Sequence, residues 1–283
     1  VSSADRAAVA EELTVLSAPG APLHRDSTDC TEYRYSPADR RRVRLHRDFI
    51  ERYLSRQNPR RDGRSCIVSA GPPGAGKSSF LLAHISGLAE YRVIDADVVK
   101  DYLIEQALID GIYEYLMVGQ LADGYPVAPR ELAALVHLES VKLADQIRRI
   151  AISRKENVVI EGTLTWQGQG PRIFRELADA EYLDVEVYGI DVDAHVAQEQ
   201  ALNRWWDGRR AWIAGADSLG GRFTPSDAIN ICYPAPGESL CITHARQFID
   251  VAQSGEIPYV HVTILGRQSS GVVEVREEAF YRQ

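Results

Sequence analysis

Between Cys66 and Phe80 the chain reads CIVSAGPPGAGKSSF, the stretch that most restricts its fold. The short apolar run Cys66-Ile67-Val68 leads through Ser69 and Ala70 into Gly71-Pro72-Pro73-Gly74-Ala75-Gly76-Lys77-Ser78, followed by Ser79. The octet fits G-x-x-x-x-G-K-[ST], the Walker A pattern, at every fixed position. Beyond it, Phe80, Leu81, Leu82 and Ile85 recur at helical spacing. Glycines adopt backbone conformations that a Cβ forbids and let amides approach phosphate oxygens. The helix that follows turns its positive end toward an anion. Residues 71–79 are therefore expected to bind a nucleoside triphosphate, with Lys77 at the β/γ-phosphates and the Ser78 hydroxyl on Mg²⁺. A chance Gly/Pro turn between a strand and a helix would not explain the Lys-Ser pair.

The chain has 283 residues, 45% of them hydrophobic and 25% charged, which suffices for one large domain or two small ones with a sizeable core. No apolar run approaches the roughly 20 residues of a membrane helix, and the first residues lack an export pattern, so a cytoplasmic protein is expected. Cys30, Cys66, Cys232 and Cys241 show no C-x-x-C or metal-finger spacing, and Cys66 is expected to be a buried thiol. The net charge of −8 argues against general nucleic-acid coating. Arginines nevertheless crowd residues 40–64, either as a solvated helix face or as a docking surface for a partner or a phosphate-bearing ligand.

Apolar spacing predicts an amphipathic helix over 4–17, then irregular chain over 18–35. Ser36-Pro37 is expected to open an arginine-rich helix that ends before Asn58-Pro59 and Asp62-Gly63. Strands are then expected near 91–95, 157–161, 185–190 and 260–264, with 271–274 closing an edge hairpin. Helices are expected over 97–110, 130–154, 171–180, 194–207, 225–231 and 237–253. Such alternation implies an α/β protein with a P-loop NTPase/kinase fold: a mostly parallel sheet with helices on both faces and an N-terminal helical extension. Residues 1–63 form the extension and residues 64–283 the kinase domain in this reading.

Three further constellations carry chemistry. Val93-Ile94-Asp95-Ala96-Asp97 places acids beyond a strand end, where open α/β sheets bind ligands. Asp97 suits a base that orients an acceptor hydroxyl and takes its proton, or a simple helix cap, while Asp95 could hold Mg²⁺ or position its neighbour. Val158-Val159-Ile160-Glu161-Gly162-Thr163 reads as a buried strand ending in a metal-organising acid, with Thr163 offering a hydroxyl to substrate; a purely structural turn is the alternative. Arg204, Gly208-Arg209-Arg210 and Gly220-Gly221-Arg222-Phe223-Thr224-Pro225 form an arginine-bearing segment. Mobile arginines that close on a transferring phosphoryl group accelerate transfer by ~10³–10⁵, and flanking glycines would permit lid motion.

Taken together, Gly71–Ser78, Ile94-Asp95-Ala96-Asp97, Val159-Ile160-Glu161-Gly162-Thr163, Arg204 and Arg222-Phe223-Thr224-Pro225 resemble the zeta toxin family of bacterial toxin–antitoxin systems, across roughly residues 64–265. The resemblance implies a kinase that uses ATP and Mg²⁺ to phosphorylate the 3′-hydroxyl of the amino sugar in UDP-N-acetylglucosamine. It implies Lys77 and Ser78 at ATP and Mg²⁺, Asp97 as base, and Arg204 and Arg222 at the phosphates. Asp95, Glu161, Thr163 and, by a looser match, Asp145 fall on the substrate side. It also implies restraint by a separate antitoxin protein or, in cis, by the first 60 residues.

Thr165 stands where the family carries an arginine, the Arg204–Arg222 interval is long, and the N-terminal 60 residues have no obvious counterpart. Another nucleotide-linked acceptor such as NAD therefore stays open, its base stacked on Trp166, Trp205 or Trp206, although a core position is the ordinary fate of tryptophan. The arginine helix keeps open a 5′-hydroxyl nucleic-acid kinase. A nucleotide-dependent switch without acceptor chemistry is the non-enzymatic alternative; the guanine-reading N-K-x-D is missing, and Asp217-Ser218-Leu219-Gly220 matches D-x-x-G by letters alone.

Overall fold

The computed structural model describes residues 3–36, 38–61, 63–268 and 271–283. In chain order the elements are α1 (Ser3–Leu16), α2 (Thr31–Arg34), α3 (Arg40–Ser55), β1 (Ser65–Ala70), α4 (Lys77–His84), β2 (Arg92–Ile94), α5 (Ala96–Ile109), α6 (His137–Ser153), β3 (Val158–Glu161), α7 (Gln169–Asp179), β4 (Asp184–Asp191), α8 (Ala194–Ile213), α9 (Ser226–Asn230), α10 (Leu240–Ala252), β5 (Tyr259–Arg267) and β6 (Val273–Arg282). They fall into two compact units. One comprises Val1–Tyr53, Ala96–Ala144 and Ala201–Pro225; the other comprises Leu54–Asp95, Asp145–Gln200 and Ser226–Gln283.

The second unit holds the sheet, ordered β2-β3-β1-β4-β5-β6. Its first five strands are parallel, and β6 runs antiparallel to β5 along the edge. Parallel strands covered on both faces read as unbroken apolar runs. All six residues of β1 are buried, as are Val158, Val159 and Ile160 of β3. Edge strand β6 instead carries glutamates and arginines on largely exposed positions, which discourages pairing with another chain. Cys66 lies wholly buried in β1, and burial pushes its thiol up. The α/β reading with a mostly parallel sheet and N-terminal helices is therefore borne out.

Asn157 and Arg92 fix the start of the sheet. Asn157 Oδ1 accepts from the Ser65 amide at 3.2 Å, and its carbonyl accepts from the Arg92 amide at 2.8 Å. The Arg92 guanidinium is fully buried against Glu156 and donates to the Leu54 carbonyl at 2.9 Å. Both charges are thus hydrogen-bonded, as burial requires.

In the first unit, helix spacing is anchored by buried ions. Arg209 donates to Asp123 at 2.7 and 2.8 Å and to Glu131 at 2.9 and 3.0 Å, and the Trp205 indole also donates to Glu131 at 2.8 Å. Arg42, on the otherwise exposed basic face of α3, is buried and grips Glu139 of α6 at 2.6 and 2.7 Å. Val9 and Leu13 of α1 are fully buried.

Several element ends differ from expectation. Helix α3 begins at Arg40, with Asp39 Oδ1 accepting from the Arg41 amide at 2.8 Å; Pro37 and Asp62 lie outside the described residues. The helix expected over 130–154 winds first as a 3-10 segment, Pro129–Val136, before α6. There the Glu131 carboxylate turns back onto the Ala128 amide at 2.7 Å. Helix α8 runs on to Ile213 instead of ending near Asp207, because Gly208 and Arg209 are packed helical residues. The C-terminal edge is a ten-residue strand, longer than the hairpin closure expected.

The Arg42–Glu139 pair makes a stability prediction. Burial would raise the Glu139 carboxyl, but hydrogen bonds from His46 and Arg42 bring it down from 4.5 to about 2. A carboxyl lowered in the folded state adds stability above its unfolded value and loses it as pH falls toward the folded one. Glu139→Gln is expected to cost about 3 kcal/mol in urea unfolding at pH 7. The gap from wild type should close between pH 4.5 and about 2.

Candidate functional site

In the sheet-bearing unit, the chain leaves β1 at Ala70 and turns through the glycine loop. Gly71 has φ +150°, and a Cβ there would lie 2.7 Å from the Ile190 carbonyl oxygen, so the tight exit demands glycine. Gly76, at φ +83°, precedes α4, whose first residues are Lys77 and Ser78. The Lys77 ammonium donates to the carbonyls of Gly71 at 2.7 Å and Pro72 at 3.0 Å, folded back over its own loop. Ser78 Oγ donates to Glu161 Oε2 at 2.7 Å, joining the loop to the tip of β3. Arg267, at the end of β5, donates to the Ala75 carbonyl at 3.0 Å and lies where a side chain at Gly76 would go. Asp95 is half-buried just after β2.

Beyond β3 the same unit makes a strained turn. Leu164 is buried at φ +55°, a region that bulky residues rarely adopt, and its carbonyl is held by His244 Nδ1 at 2.6 Å. Thr163 and Thr165 thereby face one another, with Thr165 donating to the Thr163 hydroxyl at 2.7 Å. Trp166 is 60% exposed, against the core position expected of it, and its ring lies so close to Gly168 that a Cβ there would fall 2.9 Å from the indole. Its ring has the Arg172 guanidinium 5.7 Å away. Asp145 is paired with Arg148 at 2.7 Å and Arg172 at 3.2 Å, and the buried Arg148 also binds Glu176 at 2.9 Å.

In the helical unit, Asp97 lies in the first turn of α5. Arg222 donates to its Oδ2 at 2.8 Å and to Asp101 Oδ1 at 2.9 Å; Lys100 donates to Asp97 Oδ1 at 2.9 Å. Burial would raise the Asp97 carboxyl, but Lys100 and Arg222, with Arg204 adding, hold it well below the usual carboxylate range. Asp97 is therefore ionised and neutralised by cations. Arg130 extends the array, binding Asp101 at 3.0 and 3.1 Å and Asp217 at 3.0 Å. Arg204 is exposed near Asp97.

Arg209, Gly208 and Gly221 of that segment are structural in place. Arg209 is fully buried in its carboxylate clamp. A Cβ at Gly221 would fall 1.9 Å from the Trp205 carbonyl oxygen, and one at Gly208 would fall 2.5 Å from Gly221 Cα. These glycines let two backbones touch, which accounts for them without a hinge. Trp205 and Trp206 lie in the core, where Trp205 meets Phe223 edge-on at 5.1 Å.

The zeta toxin family model matches residues 50–263. The chain belongs to the zeta toxin family. Members of this family are kinase-like phosphotransferases. Similar solved structures include a chain of the AvrRxo1-ORF1:AvrRxo1-ORF2 complex with sulphate ions, 15% identical over 89% of this chain and 73% of that one, TM-score 0.60. A chain of the same complex with ATP is 14% identical over 84% and 67%, TM-score 0.55. The PezAT chromosomal toxin–antitoxin system of Streptococcus pneumoniae contributes a chain 15% identical over 86% and 81%, TM-score 0.53. These likenesses concern the fold. No curated protein matches the sequence.

Within the zeta toxin frame, sequence reasoning missed Lys100, Asp101, Arg130, Asp217 and Arg267. Lys100 and Asp101 left a local signal, being three and four residues after Asp97 and so on the same helix face. The glycine packing is testable. Gly221→Ala is expected to lower stability by about 1–3 kcal/mol, read by urea unfolding, because the backbones must part. Unchanged stability with altered turnover would instead assign Gly221 to a hinge.

Proposed function

We propose that the chain is an ATP-dependent small-molecule kinase that transfers the γ-phosphate to the 3′-hydroxyl of the sugar of UDP-N-acetylglucosamine. The observation that carries this reading is the Arg222–Asp97–Lys100 array, an ionised carboxylate held by cations that phosphate oxygens can compete for. In this mechanism residues 71–79 hold the triphosphate, and Lys77 exchanges its two carbonyl partners for phosphate oxygens. Arg204 and Arg222 take up the charge of the transferring group. Asp97, relieved of Arg222, orients the acceptor hydroxyl and receives its proton as the oxygen attacks the γ-phosphorus and the bond to the leaving ADP breaks. Thr163, Asp95 and Asp145 serve the acceptor, Asp145 only once Arg148 or Arg172 yields.

The donors fit Mg²⁺: Ser78 Oγ and Glu161 Oε2 are hard oxygens already 2.7 Å apart, and this ion keeps most of its waters. When bound there it would neutralise phosphate charge. Glu161 is thus assigned to the metal as well as to the substrate side.

Exposed Trp166, with Arg172 beside it, favours a second reading in which the acceptor is another nucleotide-linked alcohol such as NAD, its base stacked on the indole. An antitoxin protein is the proposed restraint. Among the described residues no helix is long and apolar enough to cross a membrane, and a cytoplasmic location is part of the same proposal.

The test is incubation with labelled ATP, Mg²⁺ and UDP-N-acetylglucosamine or NAD. Asp97→Ala is expected to bind ATP as wild type does and to lose transfer by ~10²–10⁴. Arg222→Ala should lose ~10³–10⁵. Nucleotide-dependent output that survives Asp97→Ala would reject the kinase in favour of a switch.

A further inference from the structure

Cys232 and Cys241 are buried together in the sheet-bearing unit, and no part of the chemistry above uses them. Cys232 follows α9 and Cys241 is the second residue of α10. The Leu240 amide donates to the Cys232 carbonyl at 2.8 Å, which closes the loop between them. Their sulfurs converge on one hydroxyl: Thr165 Oγ1 lies 3.9 Å from Cys232 Sγ and 4.0 Å from Cys241 Sγ. That hydroxyl donates to Thr163. The other two thiols differ. Cys66 is in the middle of β1, and Cys30 contacts the carbonyls of His24 and Arg25.

We propose that Cys232 and Cys241 form a peroxide-oxidisable dithiol, whose disulfide acts through Thr165 on the acceptor-side hydroxyl of Thr163. The thiols are chemically unequal. The neighbouring Cys241 thiol and the Lys77 charge lower the Cys232 thiol against the opposing effect of burial, while the Cys232 sulfur and burial push Cys241 up. Cys232 is therefore the attacking sulfur. Its thiolate breaks the peroxide O–O bond, becoming a sulfenic acid and releasing hydroxide. Cys241 gives its proton to that hydroxide, making one water, and then attacks the Cys232 sulfur. The S–S bond forms, the S–O bond breaks, and the departing hydroxide takes the proton that Cys232 lost on ionising, making the second water. Two thiols lose two electrons, and one peroxide becomes two waters. Access is through the exposed segment Pro234–Glu238 that connects the cysteines. The sulfurs must close to about 2.05 Å, so both thiol hydrogens beside Thr165 disappear and its hydroxyl must reorient. The link to turnover rests on the reading of Thr163 as an acceptor-side group; the disulfide itself does not.

The test uses the full chain, exposed to hydrogen peroxide, alkylated and cut with trypsin. No Lys or Arg separates the two cysteines, so the peptide Phe223–Arg246 carries both. The expected product is that peptide two hydrogens lighter and unalkylated, returned to the dialkylated form by dithiothreitol, with Cys30 and Cys66 alkylated throughout. Cys241→Ser should halt at a sulfenic acid on Cys232, trapped by dimedone. Full alkylation of both cysteines after peroxide, or oxidation of either without an S–S bond, overturns the dithiol. Oxidised wild type is further expected to lose at least tenfold in acceptor phosphorylation, recovered on reduction, with Cys232→Ser insensitive. A disulfide with unchanged transfer overturns the coupling through Thr165. The mass readout needs no acceptor, so failure of the kinase reading leaves the dithiol separately decided.

Discussion

A charge taken out of water must find a partner, and a protein that handles phosphate must keep its cations ready without leaving them bare. This chain gives polar groups of its candidate site internal partners. Lys77 rests on the carbonyls of its own loop, and Ser78 rests on Glu161. Arg222 rests on Asp97 and Asp101, and Arg130 completes the array with Asp217. Each substitute is an oxygen, the atom type that phosphate also presents. Exchange of oxygen for oxygen changes the free energy less than desolvating a bare cation would.

The same logic separates two populations of arginine that look alike in sequence. Arg209 and Arg42 are buried, and each meets a carboxylate with paired donors. Breaking such a pair leaves an uncompensated buried charge, so these residues belong to the frame. Arg222 and Arg204 are more exposed, and Arg222 shares its guanidinium between two acids. A shared, partly solvated contact can be given up for a ligand. Burial, not glycine spacing, divides the clamped arginines from those that a ligand could reach.

Local features were the most legible in the sequence. The glycine loop, the acid at the head of α5 and the acid at the tip of β3 are each set within one strand–turn–helix stretch, so spacing alone locates them. The Arg130–Asp217 pair spans 87 residues and the Arg209–Glu131 pair spans 78, and no periodicity announces a partner at that range. Glycines 208 and 221 are hard to read from sequence for a related reason. Glycine marks either freedom or close approach, and only the opposing backbone, here the Trp205 carbonyl, tells which applies. Trp166 lies outside the core expected of it, its ring against Gly168, a placement that composition cannot register.

The turn after β3 combines backbone strain, burial and a hydroxyl pair in one place. Leu164 is held in a left-handed conformation, and such strain persists only where surrounding contacts over-determine it. Here the contacts are its own burial, His244 on its carbonyl, and the Thr163–Thr165 hydroxyl pair backed by two sulfurs. Thr165 connects this turn to a pair of thiols. A threonine brings a hydroxyl whose orientation depends on its neighbours, so the contact is one that the chemistry of the neighbouring sulfurs can alter.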